Sequence, residues 1–364
     1  MMGPAPSFSE EQLADRLFQA MIHTLELFGV YLGKRLGLYA ALHARGPLTP
    51  AGLAAAAGIV ERYAREWLEQ QAVAGLIAVD DAARPAEERR YRMPAEHVGV
   101  LVDPDHAAHL APFAEMAAGI GGALEHVANA YRTGQGVPYE AYGAVFVSGQ
   151  GGINRPAFVQ DLTGSWLPAI PDLHRRLAGD PPARVADVGC GVGWSTLALA
   201  RAYPRATVVG YDMDAASIAE ARRRATADDL AVRFEAKGAE TVASDGPFDL
   251  IVVLEALHDM AQPTRALAAL RAALAPGGSV LVADERVAER FYAPGDPVER
   301  MMYGWSVVHC LPVAMAEQPS EAIGTAIRPD TVRRCARDAG FARCDVLDIE
   351  NPMFRFYRLS TTAS

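Results

Sequence analysis

The chain is short of several things, and each shortage closes off a class of protein. Only four cysteines occur in 364 residues, Cys190, Cys310, Cys335 and Cys344, with no CxxC pair among them. A disulfide scaffold is therefore not expected, and reduced cytosolic thiols are the simple reading. Positive charge is scarce too: 34 Lys and Arg stand against 44 Asp and Glu, a net charge of −10. Nucleic acid needs a concentrated positive field, so it is not expected as the main partner. No apolar run is long enough to span a bilayer, the nearest being alanine-rich and short, such as residues 51–60. Residues 1–8 hold no basic stretch leading into an apolar core, so neither a secretory signal nor a membrane partner is expected. The expected location is cytoplasmic. There is no internal repeat and no long low-complexity tract.

What is present suffices for two hydrophobic cores: 51% apolar and 21% charged residues in a chain too long for one ordinary core. The first half reads as helices. Leu25, Phe28, Leu32, Leu36 and Tyr39 share one stripe within residues 13–42. Gly46-Pro47 breaks that run, Thr49 is placed to cap a helix over 51–57, and another helix follows over 61–74. Short strands at 76–79 and 91–93 flank a polar tip, which makes a winged helix. The would-be recognition helix balances Arg62 and Arg65 with Glu61, Glu66 and Glu69, a poor match to phosphate, so a DNA-binding regulator is the weaker reading. The Leu25–Leu42 stripe is longer than a lone winged helix needs, which suggests a homodimer through the first helices. Residues 94–152 look like helices divided by Gly119, Gly121, Gly122, Gly134, Gly136 and Pro138. The expected division is a helical winged-helix domain over 1–95, a helical linker and pocket wall over 96–180, and a catalytic domain over 181–364.

After Pro181-Pro182 the pattern alternates. Strands are expected at 184–188, 207–211, 232–235, 248–254 and 279–284, with helices at 195–202 and 215–225 and one opened by Pro263. This is the texture of a parallel, doubly wound α/β sheet. Residues 344–349 and 354–359 are joined by a link too short for a parallel crossover, so the last strand should run antiparallel.

The strand at 184–188 runs into Gly189-Cys190-Gly191-Val192-Gly193 and then directly into a helix. Such a turn lets backbone approach a ligand closely, and ligands of these sheets bind at the carboxyl ends of the strands. GxGxG alone equally suits a nicotinamide cofactor, but the dinucleotide spacing GxGxxG is not met because Trp194 holds its last place. Asp187 sits within the strand end, and Asp212 closes the second strand, where a carboxylate accepts hydrogen bonds from both ribose hydroxyls. Met213 beside it offers a face to adenine. The competing reading of Asp212 is a helix cap, for which Asp214 is better placed.

Taken together, these strings resemble the class I S-adenosylmethionine-dependent methyltransferases. VADVGCGVGWS is similar to that family's first motif and Tyr211-Asp212-Met213 to its second. Phe248-Asp249-Leu250-Ile251-Val252-Val253 is similar to the fourth strand, and Leu274-Ala275-Pro276-Gly277-Gly278 to the turn before the fifth. The resemblance covers roughly residues 181–360. It implies an α/β, Rossmann-like seven-stranded sheet with an antiparallel last strand, S-adenosylmethionine as cofactor and S-adenosylhomocysteine as product. It further implies Asp187, Gly189, Gly191 and Gly193 along the methionine end, Asp212 on the ribose, and Met213, Gly238, Ala239 and Glu255 on the rest of the cofactor. One departure stands out: Lys237-Gly238-Ala239-Glu240 has glycine where the family often carries the acid that reads the adenine amine. Backbone groups or Glu240 would then take that contact.

The fourth strand ends in Leu254-Glu255-Ala256-Leu257-His258-Asp259-Met260. A neutral imidazole there can take a hydroxyl proton, and an adjacent carboxylate can orient it. With the helix-rich front, this string resembles small-molecule O-methyltransferases of the plant and bacterial natural-product type, which implies His258 as general base beside Asp259. The alternative is an imidazole that only shapes the loop, with transfer by positioning alone. Residues 301–312 follow the fifth strand and would cover the acceptor pocket, with Met302, Trp305 and His309 in its wall. Tyr142 is a further candidate for an acceptor contact, and Asn154, Arg155 and Phe158 are candidates to reach the methionine carboxylate or the acceptor, an arginine being well suited to a carboxylate. Trp166-Leu167-Pro168, Ala283-Asp284-Glu285-Arg286 and Tyr303-Gly304-Trp305-Ser306 resemble a bacterial subgroup whose acceptors are mostly unassigned. No recognised ligand spacing joins His258, Asp259, His309 and Cys310, so no metal is expected. Transfer to oxygen of a small molecule is the first reading. Carbon or nitrogen acceptors, or another use of the sulfonium, are the alternatives.

Overall fold

The computed structural model describes residues 8–362. The N-terminal stripe becomes two helices, α1 (Glu10–Arg35) and α2 (Leu38–Arg45), separated at Gly37. A full capping box between Ser9 and Gln12 starts α1. Thr49 caps α3 (Pro50–Ala57) by accepting the Gly52 N–H at 3.2 Å, and α4 (Glu61–Val73) follows. β1 (Ala78–Val79) and β2 (Tyr91–Arg92) pair antiparallel and complete the winged helix. Its core holds Leu38, Leu42, Leu53, Leu68, Ile77 and Tyr91, and the Trp67 indole N–H donates to the Gly29 carbonyl at 2.9 Å. Arg62 pairs with Glu66 along α4 and Arg89 of the wing with Glu69, so these arginines are neutralised locally.

Beyond the wing, the expectation of glycine-divided helices needs correction. After the short α5 (Val98–Leu101), α6 (Pro112–Thr133) runs unbroken through Gly119, Gly121 and Gly122. Each interior glycine costs roughly 1 kcal/mol relative to alanine. A break would cost more, because Ala114, Met116, Ala123, Val127 and Ala130 are buried along the helix. α7 (Gly143–Pro156) passes into wide π turns over Ala157–Trp166. The chain forms two compact units, one reaching Gly121 and including Ala144–Pro156, the other holding Gly122–Gly143 and everything from Ala157 onward. Residues 96–180 are therefore divided between the units.

The second unit carries β3 (Arg184–Val188), β4 (Thr207–Asp212), β5 (Arg233–Ala236), β6 (Phe248–Leu254), β7 (Leu274–Glu285), β8 (Arg343–Val346) and β9 (Phe354–Ser360) in the order β5-β4-β3-β6-β7-β9-β8. Helices α8 (Pro171–Ala178), α9 (Trp194–Ala202), α10 (Ala215–Ala227), α11 (Pro263–Ala272), α12 (Pro297–Trp305), α13 (Leu311–Ala314) and α14 (Pro329–Asp338) connect and cover them. β3 to β7 run parallel, and β9 is antiparallel to both β7 and β8. Central parallel strands are buried on both faces, which is why β6 is an unbroken apolar run. Leu250, Val252 and Leu254 enter one core with Val185 and Leu281, while Ile251 and Val253 enter the other with Ala186, Val188, Val280 and Val282. The edge strand β8 is shorter than its sequence suggests. Beyond it the Asn351 side chain accepts the N–H groups of Met353 and Phe354 and sets the turn into β9. Strand order reverses direction between β3 and β6, and a doubly wound sheet opens its ligand crevice at that point. No helix among the described residues is long and apolar enough to cross a membrane.

Candidate active site

The crevice begins at the end of β3. Gly189 has φ +77° and would place a Cβ only 2.5 Å from the Ala256 side chain, so the turn after β3 and the turn after β6 lock together through a residue that must be glycine. The Gly189 and Cys190 N–H groups both donate to the Tyr211 carbonyl, at 2.8 and 3.0 Å. Beneath the loop Asp187 is fully buried, and one of its oxygens accepts the hydroxyls of Ser195 and Thr196, each at 2.6 Å. Burial outweighs those two bonds and lifts its carboxyl to about 6. Asp187 thus braces the loop from below.

Asp212 ends β4 and accepts the Gly191 N–H at 2.8 Å and the Asp214 N–H at 2.9 Å. Burial raises its carboxyl, and these N–H groups oppose the rise. Asp214 is the cap of α10, taking the N–H of Ala216 and Ser217. Space is open above Gly191, where a Cβ would meet nothing within 4 Å. Met213 is 61% exposed, and both its sulfur and the Glu240 carboxylate lie close over Gly238, with Ala239 buried behind. Glu255 follows β6 with φ +50°, a backbone conformation uncommon for a side-chain-bearing residue and a mark of functional turns.

Three residues on from Glu255, His258 is buried. Its Nδ1 lies 2.6 Å from Asp284 Oδ1 and its Nε2 lies 3.3 Å from Asp259 Oδ1. Burial alone would lower the imidazole's pKa, but the carboxylates of Asp284 and Asp259 outweigh it and hold the ring well above its ordinary range. Asp284 itself is fully buried at the carboxyl end of β7 and also accepts the Glu285 N–H. Next to it, burial and then the charge of Glu255 push the Glu285 carboxyl well above the usual range. The opposite wall comes from π turns over Ser306–Cys310. Cys310 Sγ lies 3.5 Å from His309 Nδ1, and burial pushes its thiol up to about 12. His309 is buried and edge-on to Tyr142 (centroids 4.5 Å apart) and Tyr139 (5.8 Å). Burial lowers its pKa to about 4, so the ring is neutral. The Tyr142 hydroxyl donates to the Val308 carbonyl at 2.9 Å.

Of the candidates from sequence, Asp187, Gly189, Gly191, Gly193, Asp212, Met213, Gly238, Ala239 and Glu255 lie along the carboxyl ends of β3 to β6. His258, Asp259, Tyr142 and His309 come together, and Met302 and Trp305 sit on α12 just before the π turns. Phe158 does not join them; it packs edge-on to Trp166 inside the apolar core. Asn154 and Arg155 belong to the first unit, where Arg155 makes a two-pronged ion pair with Asp105 at 2.7 and 3.0 Å. Sequence reasoning gave no role to Asp284 or Tyr139, and weighed Cys310 only as a metal ligand before setting it aside. For Asp284 a signal existed, a lone acid at the carboxyl end of an otherwise apolar strand. For the other two, proximity comes only from folding.

The comparisons bear on the domain and its fold. A family model described as a methyltransferase domain matches residues 185–278, and one described as an Rv2258c-like winged HTH domain matches residues 25–102. The ubiquinone biosynthesis O-methyltransferase of Stutzerimonas stutzeri is 29% identical over 205 residues, covering 56% of this chain and 80% of that protein. Trans-aconitate 2-methyltransferase of Methylobacterium nodulans is 37% identical over 111 residues, covering 30% of the chain and less than half (42%) of that protein. Among solved structures, the mitomycin 7-O-methyltransferase MmcR superposes with a TM-score of 0.65 at 19% identity over 96% of this chain and 97% of that one. Human N-acetylserotonin methyltransferase in complex with its methyl donor gives 0.65 at 20% identity over 99% and 100%. Fold and site together define a Rossmann-like methyltransferase with a winged helix at its front. Residues 185–278 form a methyltransferase domain of the S-adenosylmethionine-dependent type. The open space at Gly191, whose N–H meets the Asp212 carboxylate, leaves room for that cofactor.

Proposed function

We propose that this chain methylates a hydroxyl oxygen of a small-molecule acceptor, with His258 receiving the proton. The donor, when bound, supplies an electrophilic methyl group on a positively charged sulfur. The observation that carries the reading is the buried His258–Asp284 contact of 2.6 Å at the crevice. Asp284 fixes the Nδ1–H, which leaves Nε2 as the nitrogen that faces a proton. Its two carboxylates raise the imidazole's affinity for that proton, and a cation bound alongside opposes them. Tyr139, Tyr142 and His309 give planar, water-excluding walls suited to a flat acceptor. The Stutzerimonas relative and MmcR are both named for transfer to oxygen, which supports that choice of atom.

The test is S-adenosylhomocysteine formation across a panel of phenols, hydroxy acids and amines. His258→Ala is expected to lose on the order of 10²- to 10⁴-fold in turnover, with donor affinity within about twofold of the wild type. Full O-methylation by that variant would remove the base. The same two carboxylates favour a second reading, in which a protonated His258 only donates a hydrogen bond and transfer proceeds by positioning. His258→Gln, which keeps a donor but no base, is active under that reading alone. We also propose that the chain is a homodimer joined through α1.

A further inference from the structure

The reaction proposed above uses one nitrogen of His258 and gives no task to two neighbours. His258, Asp259 and Cys310 present one imidazole nitrogen, one carboxylate oxygen and one sulfur within 4.8 Å of one another. That donor mixture suits borderline-soft divalent ions such as zinc. Two donors come from the turn after β6 and the third from the π turns over Ser306–Cys310, so no ligand spacing shows in the sequence. Tetrahedral zinc bonds of about 2.0–2.3 Å place ligand atoms roughly 3.3–3.8 Å apart. The His258 Nε2 to Asp259 Oδ1 distance is already 3.3 Å, within that range, and the thiol lies within 4.8 Å of both.

Two further observations point the same way. The other nitrogen of His258 is anchored at 2.6 Å by fully buried Asp284, the carboxylate–histidine arrangement that orients metal-binding imidazoles. Asp284 Oδ2 is a buried oxygen that accepts no hydrogen bond, and Asp259 Oδ1, also buried, has only its 3.3 Å ion-pair contact with His258 Nε2. Buried acid oxygens satisfied so sparsely favour a cation among them.

We propose that His258 Nε2, the Asp259 carboxylate and Cys310 Sγ form a site for one zinc-class divalent cation, its fourth position left open. On binding, the thiol proton and any proton on Nε2 pass to solvent. With the Nε2 lone pair on the ion, His258 has none for an acceptor proton, so the loaded site and the base exclude each other, and the ion acts as an inhibitor. Binding itself needs no acceptor and stands apart from the methyl-transfer reading.

The experiment is titration of the metal-stripped full chain with Co²⁺ under reducing conditions. One equivalent should bind with the absorption of tetrahedral cobalt–thiolate, and Zn²⁺ should displace it. Cys310→Ser should lose the thiolate band and at least tenfold in affinity, whereas His309→Gln should keep both. Calorimetric binding of S-adenosylhomocysteine by Cys310→Ser shows that it folds. If it does not fold, Asp259→Asn is read instead, with weaker binding but the thiolate band intact. No saturable binding, or an unchanged band in Cys310→Ser, overturns the site. Cobalt binding at the site together with full methylation by His258→Ala would keep the site and remove the base.

Discussion

Asp187 and Asp212 are both acids at strand ends, yet they do different work because one is sealed and the other borders open space. Asp187 is fully buried, and its carboxyl is raised to about 6. The folded chain therefore holds that proton more tightly than the unfolded chain does. Below about pH 4 both states are protonated and nothing is at stake. As pH rises from about 4 to 6 the folded state is penalised, by roughly 3 kcal/mol at most for a shift of this size. Asp187→Asn lacks the penalty, so its stability relative to the wild type should rise across that window in urea unfolding at pH 4, 5, 6 and 8. A constant difference at every pH would refute the assignment. Asp212→Ala frees the Gly191 and Asp214 N–H groups and, if Asp212 holds the ribose as proposed from the sequence, removes its acceptor. Charge-assisted bonds of this kind are worth about 1.5–3 kcal/mol, so donor affinity should fall by roughly 10- to 100-fold in calorimetry. The positions of these residues were legible in the sequence because each lies at the end of a strand that its own apolar run marks. The contacts of Asp284, Cys310 and Tyr139 were not, since each meets His258 or its neighbours only through tertiary packing. Arg155 misled for the converse reason: a guanidinium suits a carboxylate, and the one that it found was Asp105.

At the scale of elements, the pocket wall depends on how residues 134–142 are tied to the turns that follow α12. The Val137 N–H donates to the Pro312 carbonyl at 2.9 Å. Gly136 lies so close that a Cβ would stand 2.0 Å from the Ala316 backbone nitrogen. No side-chain rotation relieves a clash with backbone, so the loop must move. Gly136→Ala should cost about 1–3 kcal/mol, lower the melting temperature, and displace Tyr139 and Tyr142 from His309. Acceptor affinity should suffer more than donor affinity. An unaltered melting temperature would show that this tie is slack. The parallel strands were readable because burial on both faces leaves only apolar side chains in β6. The helices of 94–152 were less so: glycine marks a break in a sequence taken alone, but buried positions along α6 carry the helix through it.

For the whole molecule, the open question is what covers α1. Leu17, Met21, Leu25, Phe28 and Leu32 recur at helical spacing along a helix about 39 Å long. All five are exposed, Leu17 by 64% and Leu25 by 58%. Monomeric proteins rarely leave so long an apolar stripe in water, and contiguous patches of this kind mark association surfaces. The stripe repeats one face along the helix, so a second copy running antiparallel meets it with the same side chains, as a twofold interface requires. Light scattering at micromolar concentration should give the mass of two chains. Met21→Glu with Leu25→Glu places like charges across that interface and should yield one chain. Neither side chain enters the winged-helix core, so the double variant should keep its helical content and its donor binding. A wild-type monomer under those conditions, or a double variant that stays dimeric, would move the contact off α1 and leave its exposed stripe to a different partner.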